Sequence, residues 1–352
     1  MENAVKQTTL ADVAAYAGVT TSTASYYFRG TKKLSRKLEQ KLDEGARVLK
    51  YIPIHGRHRP VDAQKARLIN MCINVENKDN SGDDIYFFNM MNGVMDCIAE
   101  HGYQLTISRL VEGKPETEDI FHSNLGLTTG VILCNPRKDR LIEDKLIEKK
   151  IPYVILGSSE KTESTFYVDI DMQGVGFQVT EHLIAKGHRR ILFLNLAESM
   201  LQSQHRREGF IIAYKQRGLK FNDADHVFAP VSAEICRKIV IDSFDRVKDY
   251  SAVVTSNEIQ AQGVLQAMKE LKIDVPSEAA IISMGGTILG SLAIPSLTTI
   301  DFNPHKHGYK SAQLLLEVLA KKRIKPFHLI LPGNLVERDS TSVHVSVSKT
   351  WI

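Results

Sequence analysis

Cysteine is scarce in this chain. The four present among 352 residues, Cys72, Cys97, Cys134 and Cys236, lie far apart with no Cys-x-x-Cys pair. That spacing fits neither a dense disulfide framework nor a cysteine zinc site, and it leaves reduced, buried thiols as the expectation. Long apolar runs are missing too. None reaches the ~18 residues a membrane span needs, and the opening MENAVKQTT lacks the apolar stretch of a secretory signal. A cytoplasmic location without membrane contact is expected. Catalytic signatures are also lacking: there is no Gly-x-Ser-x-Gly elbow, no Walker loop, no His-Glu-x-x-His and no metal-spaced cluster. His305 and His307 form a lone pair in a polar stretch and read as surface residues. No enzymatic activity, cofactor or metal is expected. Repeats of 20–50 residues and low-complexity segments are absent as well.

What is present is charge of one sign at one end. Residues 1–67 carry thirteen Lys/Arg against six Asp/Glu, a net +7, whereas the remainder nets −3. A basic head on a neutral-to-acidic body is the electrostatic footprint of nucleic-acid binding. The same end holds a helix-turn-helix pattern. Leu10, Val13, Ala14 and Ala17 recur at helical spacing, Gly18 permits a left-handed turn, and Thr20 is a good N-cap for a second segment reaching Phe28. Two short helices at a tight turn can place the second in a major groove. A third helix is predicted from the stripe Leu38, Leu42, Ala46 and Leu49, with Ser35 as its N-cap. Val13, Ala14, Val19, Ala24 and Leu42 are the expected core of this head. Residues 1–53 therefore read as the DNA-binding head. Residues 54–66, basic and broken by Gly56 and Pro60, read as a linker.

From Ala66 short apolar runs alternate with amphipathic helices. Strands are predicted at Leu68–Val75, Gln104–Ile107, Gly130–Leu133, Tyr153–Leu156, Ile191–Leu194, Ala252–Thr255 and Ala280–Ser283. Helices are predicted at Phe87–His101, Val175–Lys186, through Phe210 to Arg217, and at Ile259–Leu271. This β–α alternation implies parallel sheets with helices on both faces, and the strand number implies two α/β lobes. A ligand in such a fold binds at strand C-terminal ends, in the cleft between lobes.

Several motifs in order resemble the lactose-repressor/galactose-repressor family of bacterial transcription regulators, over about Thr9 to Thr341. They are Thr9-Leu10-x-Asp12-Val13-Ala14-x-x-Ala17-Gly18-Val19-Thr20 with Thr23-x-Ser25, Leu34-Ser35, Tyr51-Ile52-Pro53, His182-Leu183-Ile184 with Gly187-His188-Arg189-Arg190-Ile191, Arg206 before Gly209-Phe210, Pro295-Ser296-Leu297-Thr298-Thr299-Ile300, and Glu337-Arg338-Asp339-Ser340-Thr341. The resemblance implies an α/β protein: a three-helix helix-turn-helix head on a two-lobe, periplasmic-binding-protein-like body with parallel sheets. The body would span 67–352, its N-lobe about 67–166 plus 304–330 and its C-lobe about 167–303 plus 331–344. It further implies a homodimeric repressor on a pseudo-palindromic double-stranded operator, controlled by a small-molecule effector, a sugar by first choice. A purine, a nucleoside, a phosphorylated metabolite or a protein partner are the alternatives. The eleven residues after Thr341 carry no heptads, so a dimer rather than a tetramer is expected.

Carried over by resemblance, Thr21, Ser22 and Tyr26 touch base edges. Tyr26 stands where an arginine is common, so the operator is expected to differ at that base pair. Thr9, Leu10 through its backbone, Thr20, Ser25, Arg29, Lys33 and Ser35 suit phosphate contacts, which position without reading sequence. The linker departs from the family's hinge helix: Pro60 occupies the position of a wedge leucine, while Arg57 and Arg59 suit a narrow minor groove. His55 and His58 read as a solvated or phosphate-facing pair. For the effector, Asp84, Tyr86, Phe87 and Phe88 precede the first body helix, where the family places ligand contacts. Arg206 aligns with a ligand-gripping arginine, Glu258 replaces an aspartate, and Phe302 sits at a cleft-crossing position. At Gly285-Gly286-Thr287 the family's aromatic and aspartate are both missing. The paired glycines look like a weak phosphate cradle.

Overall fold

The computed structural model describes residues 8–29, 34–49, 51, 67–75, 84–111, 118–119, 121–122, 125–134, 140–157, 165–242 and 250–342. The chain divides into two compact units, Met1–Ala66 and Arg67–Ile352.

In the first unit, helices α1 (Leu10–Ala17), α2 (Thr21–Arg29) and α3 (Arg36–Val48) enclose a small core. Val13, Ala14, Ala17, Ala24, Tyr27, Phe28, Leu42 and Ala46 are buried, and Val19 and Leu49 pack against them. Thr9 and Asp12 close a capping box on α1: the Asp12 N–H donates to Thr9 Oγ1 (3.4 Å) and the Thr9 N–H to Asp12 Oδ2 (2.8 Å). Gly18 takes φ 71°, which lets its N–H reach the carbonyls of Ala14 and Ala15 and turns the chain sharply. Thr20 Oγ1 accepts the Thr23 N–H (3.2 Å), starting α2 as its sequence predicts. Ser35 occupies the N-cap of α3, but its side chain makes no capping bond. Ahead of the helix, the Leu34 N–H donates to Glu39 Oε1 (3.3 Å).

The second unit runs β1 (Leu68–Val75), α4 (Asp84–Ala99), β2 (Gln104–Val111), β3 (Gly130–Cys134), α5 (Leu141–Glu148), β4 (Tyr153–Leu156), β5 (Tyr167–Ile170), α6 (Met172–Ala185), β6 (Ile191–Asn195), α7 (Leu201–Gln216), β7 (His226–Phe228), α8 (Ala233–Asp242), β8 (Ala252–Thr255), α9 (Glu258–Glu270), β9 (Ala280–Gly285), α10 (Ile288–Leu292), β10 (Thr298–Asp301), α11 (Pro304–Leu319), β11 (His328–Leu331) and β12 (Asn334–Val336). The strands form two six-stranded sheets, β11-β5-β4-β3-β1-β2 and β12-β10-β9-β8-β6-β7. All pairings are parallel except β10 with β12. Central strands such as β3 and β6 are buried along their length, as helices on both faces require. The four cysteines are buried and free.

Two sequence readings change here. Tyr167–Ile170, assigned above to the C-lobe, completes the first sheet between β4 and β11, with Tyr167 opposite both Ile155 and His328. The chain leaves the first lobe only after Ile170, where Asp171 caps α6 by accepting the Gly174 N–H (2.8 Å). Asp84, Tyr86, Phe87 and Phe88 do not precede the first body helix but form its opening turns, since α4 starts at Asp84. The chain passes between lobes at β5–α6, β10–α11 and β11–β12. This connectivity puts the C-terminal ends of both sheets around one cleft.

Candidate functional site

A cavity of about 110 Å³ lies in that cleft. The N-lobe contributes Tyr86, Phe87 and Met90 from α4, Leu156 and Gly157 after β4, Asp169 and Ile170 from β5, and His307 from α11. The C-lobe contributes Gln202 and Arg206 from α7, Ser256, Asn257 and Glu258 at the start of α9, and Gly285, Thr287 and Leu289 after β9. Phe302, on the connection from β10 to α11, closes one side. Its ring stands edge-on to Tyr86 (centroids 6.3 Å, 88°), and Tyr86 stands edge-on to Phe87 (6.1 Å, 83°). An apolar, aromatic-lined cavity with a few convergent polar groups is the usual form of a small-molecule site.

Each polar group is held by its own element. Arg206 is 2% exposed, and its Nε donates to the Gln202 carbonyl (3.2 Å) one helical turn back. Asn257 caps α9, its Oδ1 accepting the Gln260 N–H (2.9 Å). Glu258, equally buried, accepts at Oε1 from the N–H groups of Gly286 (2.9 Å) and Thr287 (3.2 Å) and from the Thr299 hydroxyl (3.2 Å). Burial pushes the Glu258 carboxyl above its ordinary value, against the pull of those donors. The loop therefore offers no phosphate cradle at these two N–H groups, because the carboxylate already takes both. Gly286 is required there: its φ is 81°, and a methyl group would overlap the Asp301 carboxylate. His307 is 3% exposed and donates from Nε2 to the Val168 carbonyl (3.0 Å), so the surface reading of this residue is wrong. The fourth position of α11 faces the first sheet, which a flat reading of Pro-His-Lys-His cannot show. His305 on the same helix does reach solvent and pairs with Asp96 (2.7 Å).

On the head, Thr21, Ser22 and Tyr26 of α2 are exposed, Tyr26 by 51%, while Tyr27 and Phe28 turn inward. Thr9 and Thr20 are exposed at the starts of α1 and α2, Ser35 at the start of α3, and Ser25 is half-buried. Leu10 is the first residue of α1, where main-chain N–H groups lack helical partners.

Residues 9–53 match the family described as bacterial regulatory proteins, lacI family, and residues 180–341 match a periplasmic binding protein-like domain. The chain belongs to the lacI family of bacterial regulatory proteins. The regulator is 23% identical to the HTH-type transcriptional regulator MalR of Staphylococcus xylosus over 95% of its own length and 98% of that protein. It is 24% identical to the regulator CelR of Thermobifida fusca, again over 95% and 98%. Among solved structures it resembles a CelR–cellobiose complex (TM-score 0.72, 24% identity, 95% and 99% of the chains). It also resembles a lac repressor dimer bound to operator and the anti-inducer ONPF (TM-score 0.72, 22% identity, 96% and 99%).

Of the effector residues named from sequence, Tyr86, Phe87, Arg206, Glu258 and Phe302 come together around the cavity of this regulator. The Asp84 side chain lies outside the described residues, and Phe88, 56% exposed, points away. Lys33, His55, Arg57, His58, Arg59, Pro60 and the Arg29 side chain also lie outside them. Sequence reasoning missed Asp169, Asn257 and His307, and named Thr287 only as part of the glycine loop. Asn257 carried a usable signal, an Asn at the head of a predicted helix beside Glu258; the others carried none. Among the described residues no helix is long and apolar enough to cross a membrane, and no cluster of three or more His, Cys, Asp or Glu is placed to hold a metal.

Proposed function

We propose that this regulator is a cytoplasmic, homodimeric repressor of a pseudo-palindromic operator, and that a sugar in the interlobe cavity sets its DNA affinity. The observation that carries the reading is the cavity itself: both lobes line it, aromatic rings flank it, and a buried arginine and carboxylate converge on it. A ligand touching both lobes binds one lobe angle better than another, and that difference in affinity is what couples the cavity to DNA. Cellobiose in the CelR complex and ONPF in the lac repressor complex support a sugar. Thr21, Ser22 and Tyr26 read bases in this account, with Thr9, Leu10, Thr20, Ser25, Arg29, Lys33 and Ser35 on phosphates. Arg57, Arg59 and Pro60 engage the minor groove. Tyr86, Phe87 and Phe302 stack on the sugar, while Arg206, Glu258 and Asp84 bind its hydroxyls.

The test is a mobility-shift titration of an operator selected from random DNA, with and without each sugar that raises the melting temperature of the protein. An effector should shift operator affinity by about 5- to 150-fold, the usual range of allosteric coupling. Arg206→Ala should bind operator as the parent does and lose that response. A retained response removes Arg206 from the site, and indifference to every stabilising sugar removes the sugar from the mechanism.

A further inference from the structure

Three buried polar atoms without a protein hydrogen-bond partner belong to residues lining the cavity: Asn257 Nδ2, Thr287 Oγ1 and His307 Nδ1. Buried polar atoms in native proteins are paired, so three orphans at one cavity mark the places where a ligand makes its bonds. They are not alike. His307 commits its Nε2–H to the Val168 carbonyl, so the neutral ring presents a bare lone pair at Nδ1. Burial pushes the His307 ring below the usual imidazole range and favours that neutral form. Directly after Val168 on β5, Asp169 lines the same N-lobe wall. Its Oδ1 accepts the Ile170 N–H (2.8 Å), and a carboxylate has about four acceptor sites in all. The N-lobe wall thus presents acceptors, whereas Asn257 Nδ2 and the Arg206 guanidinium are donors from the C-lobe. The fixed charges around the cavity are two carboxylates, Asp169 and Glu258, against one guanidinium. A phosphate placed there meets a surplus of negative charge at close range in a partly desolvated site.

Resting on the effector reading above, we propose that His307 and Asp169 form a donor-reading subsite, and that the effector is a non-phosphorylated sugar, neutral or amine-bearing, whose hydroxyl or ammonium hydrogen bonds to His307 Nδ1 and Asp169. An apolar side chain at either position would close this wall without the cost of burying a polar group. The ligand recovers that cost, and an analogue lacking the donor leaves His307 Nδ1 without a partner. Discrimination against such an analogue is correspondingly steep.

Isothermal titration of the full-length protein with gluco-, galacto- and manno-configured mono- and disaccharides, glucosamine, glucose 6-phosphate and adenosine tests this. An unphosphorylated sugar or glucosamine should bind. Glucose 6-phosphate should bind at least about tenfold more weakly than glucose. His307→Leu, close in size, should weaken the sugar that binds by about tenfold or more while leaving operator binding intact. Asp169→Asn, which keeps the shape, should weaken an amine more than the matching neutral sugar, and it serves if His307→Leu fails to fold. Glucose 6-phosphate binding as tightly as glucose, or both variants binding the sugar within about twofold of the parent, overturns the subsite and leaves the effector reading standing. Binding of adenosine alone, or of nothing, overturns the sugar reading and the subsite together.

Discussion

Tyr26 shows what a single side chain can decide in this regulator. It projects from α2 with 51% of its surface exposed, between the buried Ala24 and Tyr27. An arginine there would grip guanine through two hydrogen bonds; a phenol offers one hydroxyl and a ring face. Tyr26→Ala is expected to relax discrimination at one operator base pair by about 1–3 kcal/mol and to leave non-specific affinity and the salt slope unchanged. Competition binding with operators permuted at each position reads this directly. A uniform loss across all sequences would make Tyr26 a backbone contact. Residues of this kind were legible because a local motif fixes them: the turn at Gly18 sets which face of α2 looks outward. Arg206, Glu258 and Phe302 were legible from their neighbouring signatures in the same way. Asp169 and His307 were not, because their meaning depends on two strands and a helix far apart in sequence. Asp169 sits in Tyr-Val-Asp-Ile, where a charge disguises a buried strand, and His307 sits one helical turn into a polar run.

At the scale of elements, the strongly periodic segments were read correctly in kind and short in extent. Gln104–Ile107 continues to Val111, and the helix through Phe210 begins at Leu201. Both extensions carry polar residues that hide their period. α11 went unread although Pro304 at its first turn is a start signal. Least visible was how helices meet. At the crossing of α6 and α7 a methyl group on Gly176 would overlap the Arg206 carbonyl, and one on Gly209 would overlap the Gln173 carbonyl. The two backbones touch, and this contact sets how far Arg206 stands from the cavity. Gly176→Ala is expected to cost about 3 kcal/mol, because neither carbonyl can move aside within its helix. Gly126→Ala is the control: nothing lies within 4 Å of its added methyl. Urea unfolding followed by circular dichroism separates the two, and equal midpoints would refute the close crossing.

The whole molecule has a pH response that no single element shows. His188 is buried and His226 half-buried, and both are held at about 4, below the ordinary 6.5 of histidine, chiefly by desolvation. His188 Nδ1 shares a hydrogen bond with the Ser251 hydroxyl (2.9 Å), and His226 Nε2 accepts from Asn195 Nδ2 (3.0 Å). Between pH 6.5 and 4 the unfolded chain binds these protons and the folded chain does not. Stability is therefore fully present above 6.5 and falls as pH drops towards 4, with His188 contributing on the order of 3 kcal/mol. Glu258 works in the opposite sense: its raised carboxyl favours the fold below its usual value of 4.5, an advantage lost as pH rises through the folded value. Melting temperatures from pH 8 to pH 4 should fall, with His188→Gln flattening the curve; a flat parent curve would contradict the desolvation of these histidines. Assembly is the other property of the whole. Ile294 is 93% exposed and Leu292 69%, and both line a groove beside α9. In the homodimer proposed above, a second copy of this chain would cover that groove, with the two-fold axis matching the operator's symmetry. Ile294→Asp should leave the melting temperature of the monomer unchanged, since the side chain contacts little within its own chain. It should convert the dimer to monomer in sedimentation. Operator affinity should then drop by about 100-fold or more, because each head must bind without its tethered twin. A dimer that survives the substitution would place the interface elsewhere on the body.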